Sequence, residues 1–192
     1  MKTLLLSLAT AAAFLTPATV SAQAIPGAVV AVVDLGKVTE DCNACKTARA
    51  TLQSQATALQ NRQKTLAGPL STEGKSIQDA INALNGKEPD AALKARAQAW
   101  ENKRQQAADE IQRQDDQVRA NAQYVQKQIA EKLAPIYQSV MQRRGANVLL
   151  ESGATLAIAS SVDVTNDVLA ALNSAMPSLQ TTAPAAPKPQ GR

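Results

Sequence analysis

Residues 39–144 form two long runs in which apolar side chains recur at helical spacing, separated by one short break. In the second run Leu93, Ala97, Trp100, Ala107 and Ile111 keep a four-three spacing around Arg104. Val118, Ala122, Val125, Ile129, Leu133, Ile136 and Val140 continue it. That period belongs to a helix and not to the alternation of a strand. From Val118 the stripe also repeats every eleven residues, which relaxes the left-handed coiling a strict heptad imposes and predicts a fairly straight rod there. In the first run Leu52, Leu59 and Leu66 lie seven apart, as do Leu70, Ile77 and Leu84, and the column shifts across Gly68-Pro69. Proline lacks the ladder donor and crowds the preceding turn, so a kink or break is predicted at that pair.

The break between the runs is Asn85-Gly86-Lys87-Glu88-Pro89-Asp90. Asn-Gly marks a turn and Asp90 is placed to cap the second helix, so residues 85–90 read as the tip of an antiparallel hairpin. At ~1.5 Å per residue the second arm spans about 80 Å, more than a compact domain of this size encloses, so the arms project. Alanine and glutamine fill much of the stripe, which leaves one narrow seam per helix. On this pattern alone a plain solvated spacer is an equal reading.

The sequence outside residues 39–144 supplies a small body. Ala28 to Val33 reads as a buried strand, and Asn147 to Glu151 and Thr155 to Ser160 read as two more around Ser152-Gly153. Thr165 is placed as an N-cap, with Val164 and Leu169 as a staple, for a helix from Asn166 to about Ala175, before Pro177. The fold class is therefore α+β: residues 23–38 and 145–176 make a small β body with a C-terminal helix, and 39–144 are a long antiparallel coiled-coil hairpin inserted in it. Residues 177–192, rich in proline, alanine and threonine, read as a disordered tail. Met1 to Ala22 has the pattern of a cleaved export signal, with Lys2, an apolar stretch from Leu4 to Leu15, and Val20-Ser21-Ala22 before Gln23. The mature protein is therefore expected outside the cytoplasm, in a bacterial periplasm.

Lys2 is one of 20 basic residues, so the mature chain keeps 19 against 16 acidic ones, a net +3. The charges are interleaved along the arms without stacking aromatics, which argues against nucleic acid and supports only a weak attraction to an anionic membrane surface. A chain this poor in large apolar side chains completes its core with copies of itself. There is no histidine and no glycine-rich phosphate loop, and Asp109-Glu110 and Asp115-Asp116 lie among basic residues, so neither an enzyme nor a bound cofactor is expected. Cys42-Asn43-Ala44-Cys45 is the one reactive motif. It reads as a local disulfide pinning the first turn of the arm or as an intersubunit bridge. Free or metal-bound thiols, and a thiol–disulfide oxidoreductase, are the alternatives.

Two stretches carry a family likeness. Asn147-Val148-Leu149-Leu150-Glu151 followed by Val162-Asp163-Val164-Thr165-Asn166-Asp167-Val168-Leu169, and the opening Val30-Ala31-Val32-Val33-Asp34, resemble the closing strand pair with its helix start and the first strand of the Skp/OmpH family of periplasmic chaperones. Cys42, Cys45 and the Pro/Ala tail lie outside that pattern. The resemblance implies a jellyfish-like homotrimer, three bodies sharing a barrel-like core and three arms enclosing a cavity. It further implies ATP-independent holding of unfolded outer-membrane β-barrel proteins by many weak contacts. On that reading Leu59, Leu66, Leu70, Ile77, Leu84, Leu93, Trp100 and Ile111 are candidate client contacts, and Lys87, Lys94 and Arg96 are candidate tip charges. A coiled-coil adaptor of an envelope assembly, docking through its tip, is the alternative reading of the same arms.

Overall fold

A computed structural model describes residues 26–184; the expected export signal at 1–22 and the last eight residues of the tail lie outside them. β1 (Val30–Val33) is a Val-Ala-Val-Val run in which Ala31, Val32 and Val33 are buried. β2 (Val148–Glu151) lies parallel to it, with Val30 opposite Val148 and Val33 opposite Glu151. Parallel neighbours need a long crossover, and here residues 34–147 supply it. On the other edge of β1, Val32 N–H donates to Val162 O and Val164 N–H donates to Val32 O, both at 2.8 Å. That edge is thereby bridged in parallel at Asp163.

This pairing corrects the expectation of a strand at Thr155–Ser160. With β1 paired on both sides, only the outer edge of β2 is open, and 155–160 does not join it. A strand without a ladder partner leaves its N–H and C=O groups to water. Leu156 stands fully exposed there, and Ile158 is 38% exposed.

α1 (Leu35–Asp41) begins at Asp34, whose carboxylate accepts Lys37 N–H at 2.7 Å. Cys42 leaves helical geometry (φ −56°, ψ 128°), so the arm proper starts at α2 (Asn43–Ala83) and not at Thr39. α2 runs through Gly68-Pro69 without the predicted break. Pro69 is exposed, and so is Thr65, whose carbonyl loses its ladder donor, so the loss falls where solvent has access. The tip turn is built as the sequence implies: Asn85 (φ 48°) and Gly86 (φ 84°) occupy the left-handed positions of a two-residue turn. Lys87 N–H closes it on Leu84 O at 3.0 Å. Asp90 caps α3 (Ala91–Arg144) by accepting Leu93 N–H at 2.7 Å. Gly145, at φ 65°, ends that helix in a left-handed cap, with Ala146 N–H on Met141 O.

α4 (Thr165–Ala175) starts one residue before the predicted position, and Thr165 is not its cap. The Thr165 hydroxyl instead accepts Asp34 N–H at 2.9 Å, tying the helix start to the end of β1, while the Asp163 carboxylate accepts Thr165 N–H. Hydrogen bonding to the Thr165 side chain and, less, to its backbone N–H holds the Asp163 carboxyl below its usual range. The core lies where α1, α4 and the base of α3 meet: Val38, Val140, Val164, Val168 and Leu172 are essentially fully buried.

The tail is also corrected in part. Residues 177–184 do not hang free: Leu179 packs on the core, and Gln180, Thr181 and Ala183 hydrogen-bond to the arms. Composition undervalued this stretch because its partners are side-chain amides far away in sequence.

Candidate functional site

α2 and α3 touch along their length, and the contacts fold about the tip: Gln55 meets Asn121, Arg62 meets Glu110, Leu70 meets Trp100 and Glu73 meets Arg96. The two helices therefore run antiparallel. Between the base and the tip few apolar side chains are buried. Leu59 (9% exposed) and Ile77 (6%) are enclosed in the seam. Those two pack between the paired arms. Leu66, Leu70, Leu84, Leu93, Trp100 and Ile111 are half-buried, each keeping a face toward solvent.

All of these but Ile111 line a row of shallow grooves. Leu66, Pro69, Leu70 and Ala107 border one of about 290 Å³. Ile77, Ile81, Ala97 and Trp100 border one of about 480 Å³, and Leu84 and Leu93 one near the tip of about 460 Å³. A further groove of about 560 Å³ lies at the base between α1, α2 and α3, lined by Leu35, Leu52, Val125, Ile129, Leu133 and Tyr137. Burial pushes the Tyr137 phenol up.

Polar contacts fix the arm register. Arg62 grips Glu110 through two nitrogens at 2.6 and 3.0 Å, and Arg96 grips Glu73 likewise at 2.7 and 3.0 Å while also reaching Ser76 Oγ at 2.8 Å. The hydrogen bonds from Arg62 and Arg96 hold both glutamates below the usual carboxylate range. These pairs are solvent-accessible, so they set geometry more than they add stability. Trp100 donates Nε1–H to Leu70 O at 2.8 Å, and its ring covers Gly74 so closely that a Cβ there would lie 2.9 Å from Cζ2. Arg104 lies 5.9 Å from the centre of the same ring on the same helix.

Two of the three candidate tip charges are committed inside the arm pair. Lys94 pairs with Glu88 and Arg96 with Glu73, whereas Lys87 has no ion pair among the described residues. The Cys42 and Cys45 sulfurs lie at disulfide distance with Cα atoms 5.1 Å apart. Both cysteines are buried, at 0% and 5% exposure, and so are poorly placed for attack by a partner thiolate. Gly74, the Arg62–Glu110 and Arg96–Glu73 grips and the Gln55–Asn121 bond were not singled out from sequence. Placing the tip at 85–90 fixes which residues face each other, and that is the signal from which they follow.

Among the described residues no group of three His, Cys, Asp or Glu is arranged to hold a metal, and no helix is long and apolar enough to cross a membrane. The chain is mostly helical, with two long paired helices rising from a body that contains a small two-stranded sheet. The OmpH-like outer membrane protein family matches residues 29–172, well over half of the chain, and the protein belongs to that family. Among solved structures its fold is similar to that of a Caulobacter crescentus CB15 protein assigned as an outer membrane chaperone (OmpH-like). The TM-score is 0.66 at 21% identity, covering 83% of this chain and 90% of that one. No curated protein matches the sequence.

Proposed function

We propose that this protein is an ATP-independent holdase of the periplasm that keeps unfolded outer-membrane β-barrel proteins from aggregating, held among the coiled-coil arms of a homotrimer. Family membership supports this, and so does the arm surface. Its row of grooves, each with one or two half-buried apolar side chains beside charges, suits many weak contacts better than one specific fit. The single observation that carries the reading is the contrast between those arms and an unfinished body. Val29, Leu150, Leu156 and Ile158 are 51%, 40%, 108% and 38% exposed around a sheet of only two strands. A two-stranded sheet with apolar residues left in water calls for further copies of the chain to complete it. The domain division follows: a self-associating body, projecting arms, and an export signal that delivers the chain to its clients.

Diluting a urea-unfolded outer-membrane barrel into buffer with the chain from Gln23 onward, and following light scattering, tests the proposal. Suppression of aggregation near one trimer per client is expected. Undiminished scattering at a several-fold excess would contradict it.

A further inference from the structure

Residues 179–183 lie past residue 172, where the family match ends, and they cross the base of both arms through main-chain contacts. Gln128 on α3 reads both groups of Gln180: its Oε1 accepts Gln180 N–H at 3.1 Å and its Nε2 donates to Gln180 O at 2.8 Å. Gln55 on α2 donates to Thr181 O at 3.1 Å, and Asn121 on α3, only 4% exposed, accepts Ala183 N–H through Oδ1 at 2.8 Å. None of these four bonds involves a side chain of the crossing segment.

The spacing has a simple origin. Asn121 and Gln128 are seven residues apart on one helix face, about 10.5 Å along the axis. Gln180 and Ala183 are three residues apart with a bend at Thr182 between them, so they span at most about 10 Å. Amides at heptad spacing therefore reach main-chain groups three residues apart on a crossing chain. Gln114, seven residues further toward the tip and half-buried, continues the row and now donates to Glu110.

Each reading amide also keeps a partner within the arms. Asn121 Oδ1 accepts from Gln117 and its Nδ2 donates to Gln55, while Gln128 Nε2 also donates to Tyr124 O. Withdrawal of the crossing segment therefore leaves each of the three amides one bond within the arms and passes only Gln55 Nε2 and Gln128 Oε1 to water, so the segment is displaceable at modest cost.

We propose that the Gln55–Asn121–Gln128 face is a main-chain-reading site for unfolded polypeptide, and that residues 179–183 occupy it as a built-in competitor. The identity of the client as an unfolded protein rests on the holdase reading. The site reads N–H and C=O groups common to every sequence, which suits a client class defined by its lack of fold. Occupancy by the chain's own segment lowers the apparent affinity by the fraction of time the site is closed.

The full chain carrying Gln180→Pro and Ala183→Pro tests this, because proline deletes the two N–H groups read by Gln128 and Asn121, and neither replaced side chain packs on the core. Its affinity for a fluorescently labelled, urea-diluted outer-membrane barrel is expected to rise roughly tenfold over the parent chain. Equal or weaker binding by the double variant, and by Ala183→Pro alone, overturns the proposal while leaving the holdase reading intact. If neither chain binds the barrel, the holdase reading fails and a second probe decides the site. A fluorescein-labelled peptide with the sequence of residues 177–184 is expected to bind the double variant and not the parent chain; binding to neither overturns the site.

Discussion

The body and the arms are stabilised on different principles. In the body, short elements converge so that Val38, Val140, Val164, Val168 and Leu172 lose nearly all contact with water. Along the arms, helices of 41 and 54 residues enclose only Leu59 and Ile77 between base and tip, and register depends on two arginine–glutamate grips and one tryptophan seated on a glycine. Burial is worth about 25 cal/mol per Å² of apolar surface, whereas exposed ion pairs contribute about 0–1 kcal/mol. The arms are therefore the softer part, able to separate or bend without unfolding the body. That division suits the proposed holdase, whose gripping surface must adapt while its body stays folded.

Substitutions can sharpen or break this contrast. Leu172→Ala removes a fully buried side chain from the body and should cost about 3 kcal/mol, seen as an earlier urea midpoint of the whole far-ultraviolet signal. Gly74→Val drives a side chain into the Trp100 ring, and the gain in helix propensity only partly offsets the clash. A loss of about 1–2 kcal/mol is expected, confined to the arms. Because Trp100 is the only tryptophan, its fluorescence reports the arms separately from the body. A Gly74→Val chain that loses body structure along with the tryptophan signal would show that the two regions are one cooperative unit.

Acid should act more gently and in the same place. Glu73 and Glu110 have lowered pKa values through their arginine partners. The stability they contribute is fully present above the ordinary glutamate value and is lost as pH falls through the depressed one. Trp100 emission should shift over that acidic window, and high salt should blunt the shift because the pairs are accessible. The smallest effect is expected for Lys87→Glu: stability within about 0.5 kcal/mol of the parent, with client holding unchanged. Loss of function from that one tip charge would favour the adaptor reading.

How much of this was legible in the sequence also divides by region. The arms are legible where their information is local: helical period, an Asn-Gly turn and the Asp90 cap each declare themselves within a few residues, whereas Gly68-Pro69 signals a break that α2 does not have. The body was read less well. β1 and β2 are apolar runs and were placed, but whether 155–160 forms a strand depends on which edges are free, a property of the assembled sheet. Thr165 matched the sequence pattern of a cap, yet its hydroxyl serves Asp34 from across the body. The crossing segment at 179–183 has a composition that buries little and so reads as disorder, and the amides that hold it are 52 to 126 residues away. At the candidate site, the apolar stripe was visible, but which members face a partner helix was not. Leu59 and Ile77 differ from Leu66 and Leu70 only in where the second arm lies.

Hydrogen exchange across the whole chain, with and without an unfolded outer-membrane barrel, tests the central claim most directly. The account predicts that amides around Val140, Val168 and Leu172 exchange slowest in both states. Amides of residues 60–110 should exchange faster in the free protein and slow on adding the barrel. Arms as protected as the body in the free protein, or a client that slows the body and leaves the arms unchanged, would contradict it.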